Sequence, residues 1–343
     1  SDSIVVETQP AGGGTAHVWT GYPDGTYTLE PLEVGVVGTA VTLTAKKGAE
    51  RYFFRREIER LVLYYGLALP VPVCFAGETD AINRVPGDFS SANRGKLLAF
   101  GEQVFEEEFL DVLPITTPHL SGAAFVLPYR TDPSSREGHR IYLKQMLLTE
   151  HGDTLLPPWA FFLRCFLNTQ GLRPTASRED FYEDQQLDAA RQEFAGAVRD
   201  YLETLSQEEP ERLRQLVDIH AQAIKSMAVW DDSLFRIFID FLPFETSQGT
   251  LTGRALKRAG EGCWVSSVPR FQQLKPVFLA QGRLLICTGY VYDQELVAKL
   301  ASFCSLPLSP LGAEGLELVL AEPTRAAQEA GVPFLRAAHR VPA

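Results

Sequence analysis

Three apolar stripes at helical spacing follow one another in the second half of this chain, and they constrain its fold more than any other feature. Leu187, Ala190, Phe194, Val198, Tyr201 and Leu205 form the first; Leu213, Leu216, Val217, Ile224 and Met227 the second; Leu234, Phe235, Ile237, Phe238 and Phe241 the third, which stops at Pro243. Apolar residues three and four apart line one face of a helix. The three stripes therefore read as three successive helices. His220 lies close to the second stripe and reads as a satisfied packing histidine. The loop Leu172-Arg173-Pro174-Thr175-Ala176-Ser177-Arg178-Glu179-Asp180 precedes the first stripe. Ser177 reads as the helix N-cap and Asp180 as the acid of a capping box, with Pro174 stiffening the approach. Arg178 is the odd member, because a cation in the first turn faces the positive end of the helix dipole, at a cost of a few tenths of a kcal/mol to about 1 kcal/mol. Two readings stay open. Arg178 pairs with Glu179 or Glu183 on a solvated surface, or free N–H groups and a guanidinium together make a place for an anion, most simply a phosphate.

Upstream, Ser3–Gln9, His17–Thr20, Tyr27–Leu29 and Gly38–Ala45 read as strands. Gly12-Gly13-Gly14 lacks a following Gly-Lys-Ser/Thr and reads as a hairpin loop. Phe54, Ile58, Leu61, Val62 and Tyr65 predict an amphipathic helix ending at Gly66. Next come a strand at Val71–Phe75, a helix from Ser91 to Phe105 with a solvated acidic end at Glu106-Glu107-Glu108, and strands at Ala123–Tyr129 and Arg140–Leu148. Trp159 reads as core. Beyond the helical coil, a strand at Cys263–Ser266, a helix at Pro269–Gln281, a strand at Leu284–Cys287, a helix at Tyr292–Phe303 and a strand at Leu306–Leu308 alternate as βαβαβ. That order predicts a small parallel sheet with right-handed crossovers. Its first turn lacks Gly-x-Gly-x-x-Gly, which argues against a dinucleotide site. From Gly312 onward the chain is alanine-rich and reads as the opening of a further element.

The 343 residues allow two or three domains, and the net charge of −11 argues against general nucleic-acid binding, which needs a basic face. No apolar run reaches the roughly 18–20 residues that span a bilayer. The five cysteines, Cys74, Cys165, Cys263, Cys287 and Cys304, form no C-x-x-C pair, and four sit in apolar runs. Buried reduced thiols in a cytosolic protein are expected. The six histidines have no partner at metal-ligand spacing, so no metal site is expected. There is no Gly-x-Ser-x-Gly elbow, and the adjacent acids Asp231-Asp232 and Glu183-Asp184 point different ways on a helix. A self-contained enzyme is not what these residues describe.

Several stretches together resemble one family, the ninety-kilodalton heat-shock chaperones of the bacterial HtpG type. They are Gly38-Thr39 with Val41-Thr42-Leu43; Arg140-Ile141-Tyr142-Leu143-Lys144; Leu155-Leu156-Pro157-Pro158-Trp159; Gly171 through Glu179; Pro243-Phe244-Glu245-Thr246; and Gly289-Tyr290-Val291-Tyr292-Asp293. Their order and separations match the family from residue 3 to about residue 315. The resemblance implies an α+β and α/β fold in several units. Residues 1–68 would be the C-terminal strands of a GHKL-type ATPase domain, and 69–175 a ribosomal-S5-domain-2-like α+β unit with the catalytic loop at its end. Then 176–250 would be the helical coil, 251–315 a small βαβαβ three-layer unit, and 316–343 the start of a truncated C-terminal region.

The same resemblance implies an ATP-dependent, cytoplasmic stress-response chaperone that uses Mg and ATP when intact, acts on client proteins and docks on its own N-terminal ATPase domain. It implies a homodimer in the intact protein. Most of the ATP pocket is expected to precede Ser1, so this chain alone is expected to be monomeric and inactive, with no cofactor bound. Arg178 is implied to reach the ATP γ-phosphate and Thr39 to lie near adenine. Tyr182 stands where many members carry glutamine, and Thr175 where they carry asparagine. Two other readings remain: the transducer part of a related GHKL ATPase acting on DNA, of the gyrase or mismatch-repair type, which uses a lysine in this role, and a stand-alone protein-binding module.

Overall fold

The computed structural model describes residues 2–33, 35–86, 89–90, 93–131 and 137–312. The chain divides into two compact units, one of residues 1–87 with 142–148 and 168–170, the other of the remainder. The expected region at 316–343 lies outside the described residues.

The first unit is built on a four-stranded antiparallel sheet: β1 (Ser3–Gln9), β2 (Ala16–Gly21), β3 (Tyr27–Leu32) and β4 (Gly38–Thr44), in the order β3-β2-β1-β4. All four strands were legible, because β-branched and aromatic residues are bounded by glycine and proline turns. Val6 pairs with both Trp19 and Val41, which fixes the register across the three strands. Every residue of β4 is exposed. Helix α1 (Arg55–Tyr65) ends at Gly66, whose N–H donates to the Val62 carbonyl. Arg55 binds Glu59 at 3.0 Å and Glu78 at 2.5 Å and lies 4.1 Å over the Phe75 ring.

Val71–Phe75 is not a strand. Pro70 and Pro72 remove ladder donors on both sides of Val71, and a side chain takes the ladder's place. Asn83 Oδ1 accepts from the Val73 N–H at 2.7 Å, while Asn83 Nδ2 donates to the Leu69 and Val71 carbonyls. The expected strand Arg140–Leu148 is in fact two, Arg140–Leu143 and Met146–Thr149, reversed by Lys144 (φ 50°) and Gln145 (φ 67°). Left-handed backbone at both central positions closes a tight hairpin. Here a lysine and a glutamine adopt it without the usual Asn-Gly, with the Gln145 N–H donating to Asn168 Oδ1.

In the second unit α2 (Arg94–Phe105) is capped by Asn93, whose Oδ1 accepts from the Lys96 N–H. A five-stranded sheet follows, formed by β5 (Asp111–Thr116), β6 (Ser121–Val126), β7 (Arg140–Leu143), β8 (Met146–Thr149) and β9 (Leu163–Thr169), in the order β5-β6-β9-β7-β8; its residues 142–148 and 168–169 are those grouped with the first unit. Strand β5 was missed, hidden behind the acidic run. That run is not merely solvated, because Glu107 pairs with Arg164 at 2.9 Å and accepts from the Tyr129 hydroxyl. The rings of Phe89, Phe100 and Phe166 meet with centroids 5.0–5.7 Å apart, Phe100 edge-on to the other two. Gly122 (φ 146°) is obligatory, since a Cβ there would lie 2.0 Å from the Phe166 carbonyl oxygen.

The three apolar stripes become α3 (Gln185–Glu208), α4 (Pro210–Trp230) and α5 (Asp232–Phe238), with Phe194, Val198, Leu213, Val217, Ile224, Leu234 and Phe235 fully buried. Helix α4 kinks at His220 (φ −108°, ψ 15°). After α5 come β10 (Pro243–Thr246), β11 (Gly249–Thr252), α6 (Gly253–Ala259), β12 (Gly262–Val265), α7 (Val268–Ala280), β13 (Leu285–Cys287), α8 (Asp293–Phe303) and β14 (Leu308–Pro310). Strands β12, β13 and β14 are parallel as the βαβαβ pattern predicts. The sheet is nevertheless mixed, because the unforeseen hairpin β10–β11 adds antiparallel to β13, giving β11-β10-β13-β12-β14. Val265, Phe271, Phe278, Leu285 and Cys287 form its core. The described residues thus make a mixed α and β fold with three sheets and eight helices.

Candidate functional site

Residues 174–181 are not the first turn of a helix. Pro174 and Phe181 form an antiparallel bridge; the Tyr182 N–H donates to the Arg173 carbonyl and the Thr175 N–H to the Asp180 carbonyl, both at 2.8 Å. The segment is a short hairpin. Helix α3 starts eleven residues later than Pro174, because Asp184 offers its carboxylate to the N–H groups of Gln186 and Leu187 at 3.0 and 3.1 Å. Asp184 is the N-cap. Ser177 instead hydrogen-bonds Thr175 at 3.1 Å, and Asp180 binds the Thr154 hydroxyl and the Phe181 N–H. The capping-box reading failed because buried Phe181 and Leu172 pin the chain on both sides of the loop, and helix cannot continue through two inward anchors so placed.

Arg178 sits at the hairpin tip with φ 58°, its N–H donating to the Thr175 carbonyl at 3.0 Å. The dipole cost assigned to it does not arise; its cost is the left-handed backbone, on the order of 1–2 kcal/mol for a residue with a Cβ. Its side chain is exposed, and no carboxylate among the described residues pairs with it. The two acids that could have neutralised it behave differently. Glu179 is exposed beside it. Glu183 is held by Arg191 through both carboxylate oxygens, at 2.7 and 2.9 Å, which pushes the Glu183 carboxyl below the usual range. Arg191 also binds Asp188 and donates to the Thr154 carbonyl, so one side chain ties α3 to the segment that supports Asp180.

Two of the positions beside Arg178 have roles the sequence did not predict. Thr175 Oγ1 lies 3.2 Å from the Asp180 carbonyl and closes the hairpin. Tyr182 is half exposed, and the Arg173 guanidinium stands 5.2 Å from its ring centroid. The ring therefore screens one face of a second exposed cation.

Thr39 belongs to the other unit. It lies on β4 opposite Thr8, with the two hydroxyls 2.9 Å apart. Both residues line an open cavity of about 280 Å³ with Glu7, Ala16 and Leu32. Thr39 and Arg178 are therefore each placed by its own unit.

Elsewhere, Trp159 is half buried with Arg199 at 5.4 Å from its ring, so it is a packing and cation-binding residue at once. His220 is buried as expected but only half satisfied: one ring nitrogen meets the Leu127 carbonyl at 3.2 Å and Nδ1 has no partner among the described residues. Cys165 and Cys287 are buried, Cys263 and Cys304 half buried, and Cys74 exposed. Among the described residues no group of three or more His, Cys, Asp or Glu is placed to hold a metal ion, and no helix is long and apolar enough to cross a membrane.

Comparison with known proteins gives this geometry a context. No family model matches the chain. Curated proteins named Chaperone protein HtpG do match: that of Rhodopseudomonas palustris is 25% identical over 258 residues, 68% of this chain and 40% of the relative. The one from Chlorobium luteolum is 23% identical over 266 residues, 72% of this chain and 42% of the relative. The one from Chromobacterium violaceum is 22% identical over 256 residues, covering 66% and 40%. The chain spans about two-fifths of the length of the curated relatives it matches.

Proposed function

We propose that this chain, whose curated relatives are HtpG chaperones, contributes to ATP-dependent protein folding, with Arg178 as the group that reaches the γ-phosphate of ATP. The observation that carries this reading is the hairpin tip. A guanidinium is held on a short, cross-bonded loop, exposed and without an acid partner among the described residues, while Arg191 occupies Glu183. Such a cation gains most from a dense anion, and a triphosphate is one. The left-handed backbone at Arg178 suits this role, because strain of this kind is retained where a side chain must be aimed.

In this reading the nucleotide is delivered by an ATPase domain, Mg accompanies it, and the arginine lowers the barrier by stabilising charge on the transferred phosphoryl group. Arginines in that role contribute roughly a thousandfold or more. Thr39 takes the place near adenine, where its hydroxyl, already bonded to Thr8, is oriented as a donor or acceptor. Client proteins, a homodimer in the intact protein and a cytoplasmic setting complete the reading, as do the domain boundaries at 68, 175, 250 and 315.

The test is ATP turnover by the full-length protein with Arg178→Ala beside Arg178→Lys. The reading requires Arg178→Ala to lose about a thousandfold in kcat with little change in ATP affinity. Unchanged turnover assigns the hairpin to another task.

A further inference from the structure

Arg191, in the second turn of α3, commits its guanidinium to three partners at once. Nε donates to the Thr154 carbonyl, Nη1 to Glu183 Oε2 and Asp188 Oδ1, each at 2.9 Å, and Nη2 to Glu183 Oε1 at 2.7 Å. Four of the five N–H donors that an arginine carries are thereby used. Asp188 belongs to the same helix, but Glu183 and Thr154 lie outside it.

Those two outer partners sit on either side of the hairpin that carries Arg178. Glu183 directly follows Tyr182, whose N–H closes the base of the hairpin on the Arg173 carbonyl at 2.8 Å. Thr154 supports the turn: its hydroxyl donates to Asp180 Oδ1 at 2.5 Å, and the Asp180 carbonyl accepts the Thr175 N–H at 2.8 Å. The Thr175 carbonyl in turn accepts the N–H of Arg178 at 3.0 Å. A continuous series of bonded residues therefore runs from the Arg191 side chain through Thr154, Asp180 and Thr175 to the backbone of Arg178.

The turn needs that support. Leu172 and Phe181 anchor the base by burial, whereas residues 176–179 are exposed. Arg178 holds a left-handed backbone (φ 58°), which persists only where the surroundings over-determine it. We propose that Arg191 is the positioning residue for Arg178, an inference that rests on reading Arg178 as the γ-phosphate contact. Arg191 itself meets no nucleotide. It fixes the frame in which Arg178 is aimed, and a displacement of about 1 Å in a group so aimed costs about a hundredfold in rate. Lysine is no substitute, because a point charge cannot span Glu183 and the Thr154 carbonyl as a planar fork does.

The experiment compares Arg191→Met and Arg191→Lys by two readouts. In the 343-residue chain, the backbone N–H groups of Thr175, Arg178 and Tyr182 are expected to exchange with deuterium at least about tenfold faster in both variants, with the amide of Val198 at the centre of α3 unchanged. In the full-length protein, kcat for ATP is expected to fall about 10- to 100-fold with KM unchanged. Added to Arg178→Ala, Arg191→Met should cost no more than about twofold, because it acts through a side chain already removed. A merely structural role predicts the same loss in both backgrounds. That result overturns the proposal, as does parental exchange at the hairpin, parental turnover, or a risen KM with kcat intact. A lysine that restores exchange and turnover together also overturns it, since charge and not the fork then carries the effect. Undiminished turnover by Arg178→Ala alone sinks the functional reading and this inference with it, whereas failure at Arg191 alone leaves that reading standing.

Discussion

Asp111 and Arg212 stand 101 residues apart in the chain and meet through the Arg212 Nε at 2.8 Å, which joins the first strand of the five-stranded sheet to helix α4. Asp111 is only 4% exposed and also receives the Arg94 Nε at 2.7 Å and the Val112 N–H at 2.8 Å. Burial pushes its carboxyl up, but the bonds from Arg94, Tyr201 and Arg212 together outweigh that and leave it below the ordinary value of 3.8. A carboxyl depressed in the folded state contributes stability above its unfolded value and loses it as pH falls through the folded one. This contribution is therefore complete above about pH 4 and disappears in stronger acid. Asp111→Asn leaves two partly exposed arginines facing a neutral amide and should cost about 1.5–3 kcal/mol in urea unfolding at neutral pH.

His139 sets a second pH window. It is buried, its Nδ1 accepts from the Cys165 N–H at 3.1 Å, and burial first, then Arg164 and His151, push its pKa from 6.5 to about 3. The unfolded chain binds a proton here between pH 6.5 and about 3 that the folded chain refuses, so stability falls as pH drops through that interval. The limit is about 5 kcal/mol. His139→Asn keeps an acceptor for the Cys165 N–H and cannot titrate, so chemical unfolding of this variant between pH 6.5 and 4 should show a shallower slope than the parent.

Lys225 and Asp293 form a buried ion pair at 2.7 Å, linking helix α4 to the start of α8. Burial pushes the Asp293 carboxyl up, and the Lys225 ammonium pulls it back only in part. The Nζ also lies 4.8 Å from the Phe244 ring centroid. Lys225→Met alone strands a buried carboxylate and should destabilise by about 3–5 kcal/mol, whereas Lys225→Met with Asp293→Leu should recover most of that loss. A double variant no more stable than the single one would show that the pair itself, and not the orphaned charge, sets the energy.

The hairpin that carries Arg178 should separate stability from activity. Asn occupies left-handed backbone more readily than Arg, so Arg178→Asn should raise the thermal midpoint slightly, by the equivalent of up to about 1 kcal/mol, while ATP turnover by the full-length protein falls as for alanine. Thr154→Val removes a hydrogen bond to Asp180 without touching the tip. It should lower kcat by loosening the loop, and should add little in a chain that already carries Arg178→Ala.

Period and punctuation alone located most of the elements. Strands β1 to β4, helix α1 with its Gly66 stop, the three stripes of the coil and the parallel βαβαβ strands all follow from side-chain spacing and turn residues, which act over a few residues at a time. Family likeness pointed to Arg178, but the local rules misjudged its setting: Ser177 and Asp180 have the chemistry of a helix start. What they do instead depends on Phe181 and Leu172 being buried, on Asp184 winning the cap, and on Thr154, twenty-six residues upstream, reaching Asp180. The β7–β8 turn, the β10–β11 hairpin and the empty acceptor on His220 share that origin. Each is set by partners distant in sequence, and the free energy of burying or pairing a group depends on which atoms surround it in space. The order of residues states what each group can donate, accept or hide; only the folded chain decides which of those capacities are used.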